Sequence, residues 1–184
     1  MSQQTDQRGV TEVLKQQHEQ VKQMFGQIID AQGSARVELF DCLRATLAVH
    51  ETAEEVVVYP QLRELGDEGE KVADARIAEE SEAKQVLADL EKLGADSPGF
   101  GPKLLQFQQS ALAHAEAEES TVFPLLEKEC TAEQLRDLGE HVEAAERMAP
   151  THPHPHGPDS GLGNMLVGPF AKMVDAVRDK LHGR

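Results

Sequence analysis

The stretch His50-Glu-Thr-Ala-Glu54-Glu55-Val-Val-Val58-Tyr59-Pro60-Gln-Leu62 returns 64 positions later as His114-Ala-Glu-Ala-Glu118-Glu119-Ser-Thr-Val122-Phe123-Pro124-Leu-Leu126. Aligned without a gap, the two copies share His, Ala, Glu, Glu, Val, Pro and Leu, and Tyr59 stands opposite Phe123. Each copy places a carboxylate four residues after an imidazole. Four residues make about 400° of α-helical rotation, so His50 and Glu54 point the same way one turn apart, as do His114 and Glu118. Apolar neighbours such as Leu47, Val58, Phe107 and Val122 share that side, so the charged donors on it need partners.

The flanking sequence reads as helices. Val13, Leu14, Val21, Met24, Phe25, Ile28 and Ile29 recur at helical spacing and predict a first helix of roughly 12–31. Ser34 is the expected cap of a second helix carrying Val37, Phe40, Leu43, Leu47 and His50, and Pro60 should end or bend it. Gly66 and Gly69 mark a turn. A third helix is expected from about Lys71 to Leu93, stopped by Gly94, with a loop over 96–102. A fourth runs from Leu104 to about Glu127, with Pro124 late in it. Thr131-Ala-Glu-Gln134 has the form of a capping box and opens a shorter fifth helix reaching Met148. No stretch alternates like a strand for long enough.

The first and third helices repeat as well. His18-Glu-Gln-Val-Lys-Gln lies over Glu80-Ser-Glu-Ala-Lys-Gln. The chain therefore reads as two helical hairpins forming an antiparallel, up-down four-helix bundle over residues 1–149, in an all-α fold. Residues 150–184 add a His/Pro-rich segment and a last helix. The stripe Phe170, Met173, Val174, Val177 and Leu181 of that helix suggests docking on the bundle. Each hairpin offers one donor on its first helix and a pair on its second: His18, His50 and Glu54, then Glu80, His114 and Glu118. Imidazole suits transition metals, and carboxylate can bridge two ions. Facing helices of a bundle are where such sites are built. A single His-x-x-x-Glu is most simply a solvated helix face. Two at matched positions of a repeat favour metal. Tyr59 is a further donor to consider. Tyr59 and Phe123 read mainly as packing residues, since Tyr59 falls about 140° round an α-helix from Glu54.

This pattern resembles the hemerythrin-like family, the HHE cation-binding domains. The likeness rests on His18, on His50-x-x-x-Glu54-Glu55 with Tyr59-Pro60, and on His114-x-x-x-Glu118-Glu119 with Phe123-Pro124. It covers roughly residues 10–130. It implies a four-helix bundle with two iron ions in an oxo- or hydroxo-bridged, non-haem di-iron centre. By that likeness Glu54 and Glu118 bridge, His18 and His50 serve one iron, and His114 the other; some members also use the residue after the second-helix His, here Glu51. The family's third helix usually supplies a histidine. Here Glu80 occupies that place. Either Glu80 coordinates, the second iron lacks that ligand, or one of His141, His152, His154 and His156 replaces it.

A carboxylate in place of a neutral imidazole adds negative charge beside the cations and favours the ferric state. The expectation is a catalase-like or peroxidase-like protein reacting with hydrogen peroxide, oxygen or nitric oxide, of the kind used against oxidative stress. A non-enzymatic oxygen- or iron-binding sensor is the alternative. A ferritin-like site would need Glu-x-x-His, and none of the 8 histidines has Glu three residues before it. A structural zinc needs only four ligands.

The bulk sequence agrees. A net charge of −15 disfavours nucleic acid and anionic membranes as partners. No run of apolar residues is long enough to span a bilayer, and the opening residues lack a secretory signal's apolar core. Cys42 and Cys130 form no metal or redox motif. A cytoplasmic monomer or dimer is expected.

Overall fold

A computed structural model describes residues 8–148. Their order is α1 (Val10–Asp30), α2 (Gly33–Ala53), a π-helical turn (Glu54–Val58), α3 (Tyr59–Arg63), α4 (Asp67–Leu93), α5 (Phe100–Ala117), a second π turn (Glu118–Val122), α6 (Phe123–Glu129) and α7 (Ala132–Glu146). No strand occurs among the described residues, and none of their helices is long and apolar enough to cross a membrane. Helix α1 pairs with α2, α4 with α5, and α1 with α5, while α3 packs on α4, closing the bundle. Helix α7 lies outside this quartet, against α1, α2 and the first π turn.

Several local expectations shift. Helix α2 is capped by Gln32, so Ser34 falls inside its first turn instead of at the cap. Helix α4 starts at Asp67, and Gly69 lies within its first turn. Helix α5 starts at Phe100, so Pro102 is helical and not part of the loop. Proline fits there because the first N–H groups of a helix have no intrahelical acceptor. The capping box of α7 forms: Gln134 N donates to Thr131 Oγ1 at 3.2 Å, and Thr131 N to Gln134 Oε1 at 2.8 Å. The proposed last helix and the segment containing His154 and His156 lie outside the described residues.

Neither Pro60 nor Pro124 ends its helix. Each is preceded by a π turn, in which the N–H of Tyr59 bonds back to Glu54 O and that of Phe123 to Glu118 O. The ladder there reaches five residues back instead of four. The proline that follows has no N–H to continue the wide spacing, and α-helix resumes.

The apolar core has two parts. One is built on Leu14, Val57, Tyr59, Leu62, Phe123 and Leu126, with Leu138, Val142 and Ala145 of α7. The other is built on Phe25, Leu43, Leu47, Leu87, Phe100 and Phe107. Between them, along all four bundle helices, runs a layer of buried imidazoles and carboxylates.

Candidate metal centre

Each donor sits where its helix passes from one core to the other. His18 lies between Leu14 and Val21, and His50 between Leu47 and Ala53. Glu54 and Glu118 are fully buried and Glu80 is 1% exposed, which is rare for carboxylates without a charged partner. Two donor groups result: His18, His50, Glu54 and Glu118; and Glu54, Glu80 and His114. Within each group the ligand atoms lie within 4.8 Å of one another, and Glu54 belongs to both. Nε2 of His18 is 3.2 Å from Glu118 Oε2, Nε2 of His50 is 3.3 Å from Glu54 Oε2, and Nε2 of His114 is 3.7 Å from Glu118 Oε2.

Most of the donor atoms that face the middle make no hydrogen bond. Nε2 of His18 and His114, both oxygens of Glu54, Oε2 of Glu80 and Oε2 of Glu118 are all buried and make none. An orphan buried polar atom costs about 1–3 kcal/mol, and His18 Nε2 and Glu118 Oε2 relieve each other only when the imidazole is protonated, so the cluster calls for an occupant. Neutral nitrogens and carboxylate oxygens together suit a cation of the iron, zinc or manganese type. The donor set therefore fits a bound metal.

The outer faces of the imidazoles are fully engaged. Nδ1 of His18 lies 3.0 Å from Glu119 Oε1, Nδ1 of His114 lies 2.8 Å from Glu79 Oε2, and Nδ1 of His50 lies 2.7 Å from Gln17 Oε1. Each partner is an acceptor, so Nδ1 carries the hydrogen and Nε2 turns inward with its lone pair. That is how proteins orient imidazoles toward metals. Phe123 stacks on the His18 ring at 5.8 Å and 11°, which holds the ring from its side.

Tyr59 enters the centre. Its hydroxyl lies 2.9 Å from Glu118 Oε1 and within hydrogen-bond reach of Glu80 Oε1, and its single hydrogen serves one of them at a time. The 140° separation expected from Glu54 holds only for a regular α-helix. The π turn brings residue i+5 back over residue i, which places Tyr59 one turn from Glu54 on the same face. The aliphatic lining does not change, but Tyr59 is a polar member of the site as well as a packing residue.

Lys84 balances the carboxylates. Its ammonium pairs with Glu55 and lies 3.8 Å from both Glu51 Oε2 and Glu80 Oε2. Glu51 is buried on this side and joins neither donor group, and His141, on α7, joins neither as well.

Burial sets the ionisation of these groups in the metal-free protein. It pushes Glu54 and Glu80 well above the usual carboxylate range, with help from Glu118 beside Glu54 and from Glu51 beside Glu80. It takes Glu51 up to about 8, against the opposing pull of Lys84. It takes His50 down to about 3, helped by the charge of His18. Burial opposes ionisation of Glu118 too, yet His18, His114 and His50 around it bring Glu118 down to about 2. Burial would also lower His18, but Glu118 and Glu119 outweigh it and raise it. Without metal, the layer is held by an imidazolium–carboxylate pair and by protons on the remaining carboxyls.

A cavity of about 150 Å³ opens on this layer between α1, α2, α4 and α5. Val21, Leu47, Val86, Phe107 and Ala111 make its wall mostly apolar, and His18, His50, Glu80 and His114 form its floor.

Residues 9–126 match the Hemerythrin HHE cation binding domain family. The chain belongs to the hemerythrin HHE family. A hemerythrin-like protein of Schizosaccharomyces pombe, itself uncharacterized, is 32% identical over 73% of this chain and 67% of its own length. A DNA nickase of Nostoc sp. is 26% identical over 74% of this chain, but the match spans only 38% of that protein. The crystal structure of a hemerythrin HHE cation binding domain-containing protein from Mycobacterium kansasii superposes with a TM-score of 0.69 at 27% identity, covering 77% of this chain and 86% of that one.

All six principal donors expected of this hemerythrin-like chain meet in one buried layer. Sequence reasoning did not reach Gln17, Glu79 and Lys84, which hold those donors from outside. The second Glu of each repeat was a visible signal: Glu119 supports His18 and Glu55 binds Lys84. Gln17 carried none.

Proposed function

We propose that the hemerythrin-like domain holds two iron ions and disproportionates hydrogen peroxide to oxygen and water. The ions are read as follows. His18, His50, Glu54 and Glu118 hold one; Glu54, Glu80 and His114 hold the other; the phenolic oxygen of Tyr59 is a further donor to the second. Iron supplies the redox chemistry. The observation that carries the reading is Glu80: a buried carboxylate with an unbonded Oε2, standing on the helix where the family's pattern has an imidazole.

The chain's own groups do the rest. Glu80 adds a negative charge at the second ion in a water-poor interior, which favours the ferric state. Lys84 tempers that charge from 3.8 Å, beside the inward-facing Oε2 of Glu80. The apolar cavity wall admits a small, uncharged molecule such as peroxide, dioxygen or nitric oxide and excludes anionic reductants. Disproportionation needs no other reductant, because one peroxide is reduced to two waters while a second is oxidised to dioxygen. Cleavage of DNA is not part of this reading, since a chain of net charge −15 repels phosphate.

The same cavity wall suits dioxygen, which favours reversible binding or sensing as the second reading. Iron-loaded protein in an oxygen electrode decides between them. Peroxide turnover predicts two irons per chain and one oxygen released for every two peroxides consumed. Slow peroxide loss, together with full recovery of the diferrous spectrum after oxygen is removed, would support carriage instead.

A further inference from the structure

Helix α7 lies beyond residues 9–126, the span matched by the family, yet it reaches the support of a donor. His18 and His114 give their Nδ1 hydrogens to carboxylates, Glu119 and Glu79. His50 alone faces an amide, that of Gln17. An amide is a weaker guide than a carboxylate. Turned through 180°, it would oppose the imidazole N–H with its own NH2 donors. Glu146, in the last turn of α7, removes that freedom. Its carboxylate can only accept, and Gln17 Nε2 donates to Glu146 Oε1 at 2.5 Å. Gln17 Oε1 is thereby left facing His50, and His50 Nε2 is left facing Glu54.

The helix that carries Glu146 is firmly seated. Leu138, Val142 and Ala145 are fully buried beneath it. Arg8, just before α1, pairs with Glu143 at 3.2 Å. At Gly139 a Cβ would stand 2.6 Å from Arg8 O, so α7 and the start of α1 meet backbone to backbone.

We infer that Glu146 is a positioning residue for His50, acting through Gln17, so that the fifth helix is a working part of the metal centre. This rests on the reading of His50 as a metal donor. It assigns Glu146 no contact with metal or substrate. It makes the His50 ion sensitive to anything that displaces the end of α7.

The test is anaerobic chelator competition with cobalt(II) and, separately, ferrous ion, on the full chain. The variants are Glu146→Ala, Glu146→Gln, Gln17→Leu and the double variant Gln17→Leu/Glu146→Ala. Loss of an outer partner of a metal-bound imidazole costs on the order of 10–100-fold in affinity, so Glu146→Ala and Gln17→Leu should each weaken binding about tenfold. The double variant should bind no more weakly than Gln17→Leu, because both changes break one chain of contacts. Glu146→Gln keeps a carbonyl acceptor and should restore binding to within about threefold. A purely packing role would lower the metal-free melting temperature and leave affinity alone, and would make the two single losses additive. Unchanged affinity in Glu146→Ala, or additive losses, overturns the relay. Failure of the unsubstituted chain to bind either ion would instead overturn the metal reading beneath it.

Discussion

Glu80 shows how one side chain sets the character of a site. It is almost fully buried, its Oε1 accepts from Tyr59, and its Oε2 faces inward beside Lys84. Replacing it with an imidazole of similar reach removes a negative charge without removing a donor. Glu80→His should therefore raise the reduction potential of the loaded centre, slow peroxide turnover at least severalfold, and lengthen the life of the diferrous form in air. Spectroelectrochemical titration beside the oxygen-electrode assay measures all three; an unchanged potential would show that Lys84 already cancels the charge. At this scale the sequence was legible where one period held. His18, His50, Glu54, Glu80, His114 and Glu118 all follow from α-helical spacing within a repeat. Tyr59 did not, because a single π turn shifts the phase by one residue, and Val-Val-Val-Tyr-Pro does not announce that shift. Gln17 was hidden for another reason: nothing local distinguishes an amide facing an imidazole from one facing water.

Among the elements, the bounds of the helices moved by a few residues while their order and pairing stood. The repeat made that possible, since two hairpins with apolar stripes at the same register have few ways to close. Tertiary contacts hid the rest. Gly69 read as turn punctuation, yet it is helical, and the reason for glycine is the approach of α3. A Cβ at Gly69 would stand 1.9 Å from Leu62 O. Either α3 or the start of α4 must move to admit it. Gly69→Ala should cost about 1–3 kcal/mol, the usual range for overpacking, although alanine is the better helix former. Urea denaturation of the metal-loaded protein reads this directly. A stabilised variant would mean that the close approach does not persist in solution.

For the molecule as a whole, the centre is a load on the fold. The metal-free protein keeps Glu51, Glu54 and Glu80 protonated at a pH where the unfolded chain has ionised them. A native state that binds more protons loses stability as pH rises. His50 acts in the opposite sense, but only between about 3 and its ordinary value of 6.5. The His50 contribution is half spent at 6.5 and fades above it, so from there to about pH 8 the protonated carboxyls outweigh it. Chelator-treated protein should accordingly melt at a lower temperature at pH 8 than at pH 6.5, by about 1.4 kcal/mol of stability per pH unit for each carboxyl still protonated in the fold. Metal loading should flatten this slope and release protons on binding, which calorimetry in buffers of differing ionisation enthalpy detects. A chelated protein whose melting temperature is level or rises across that window would contradict the burial of these carboxyls.

The layered plan has a mechanical outcome. Two greasy tiers are joined at a waist of acids and imidazoles that like one another poorly until a cation sits among them. Helices α1, α2 and α4 run through both tiers, so crowding at the waist is felt at each end. A cation that settles there would ease that crowding and tighten both ends of the bundle together.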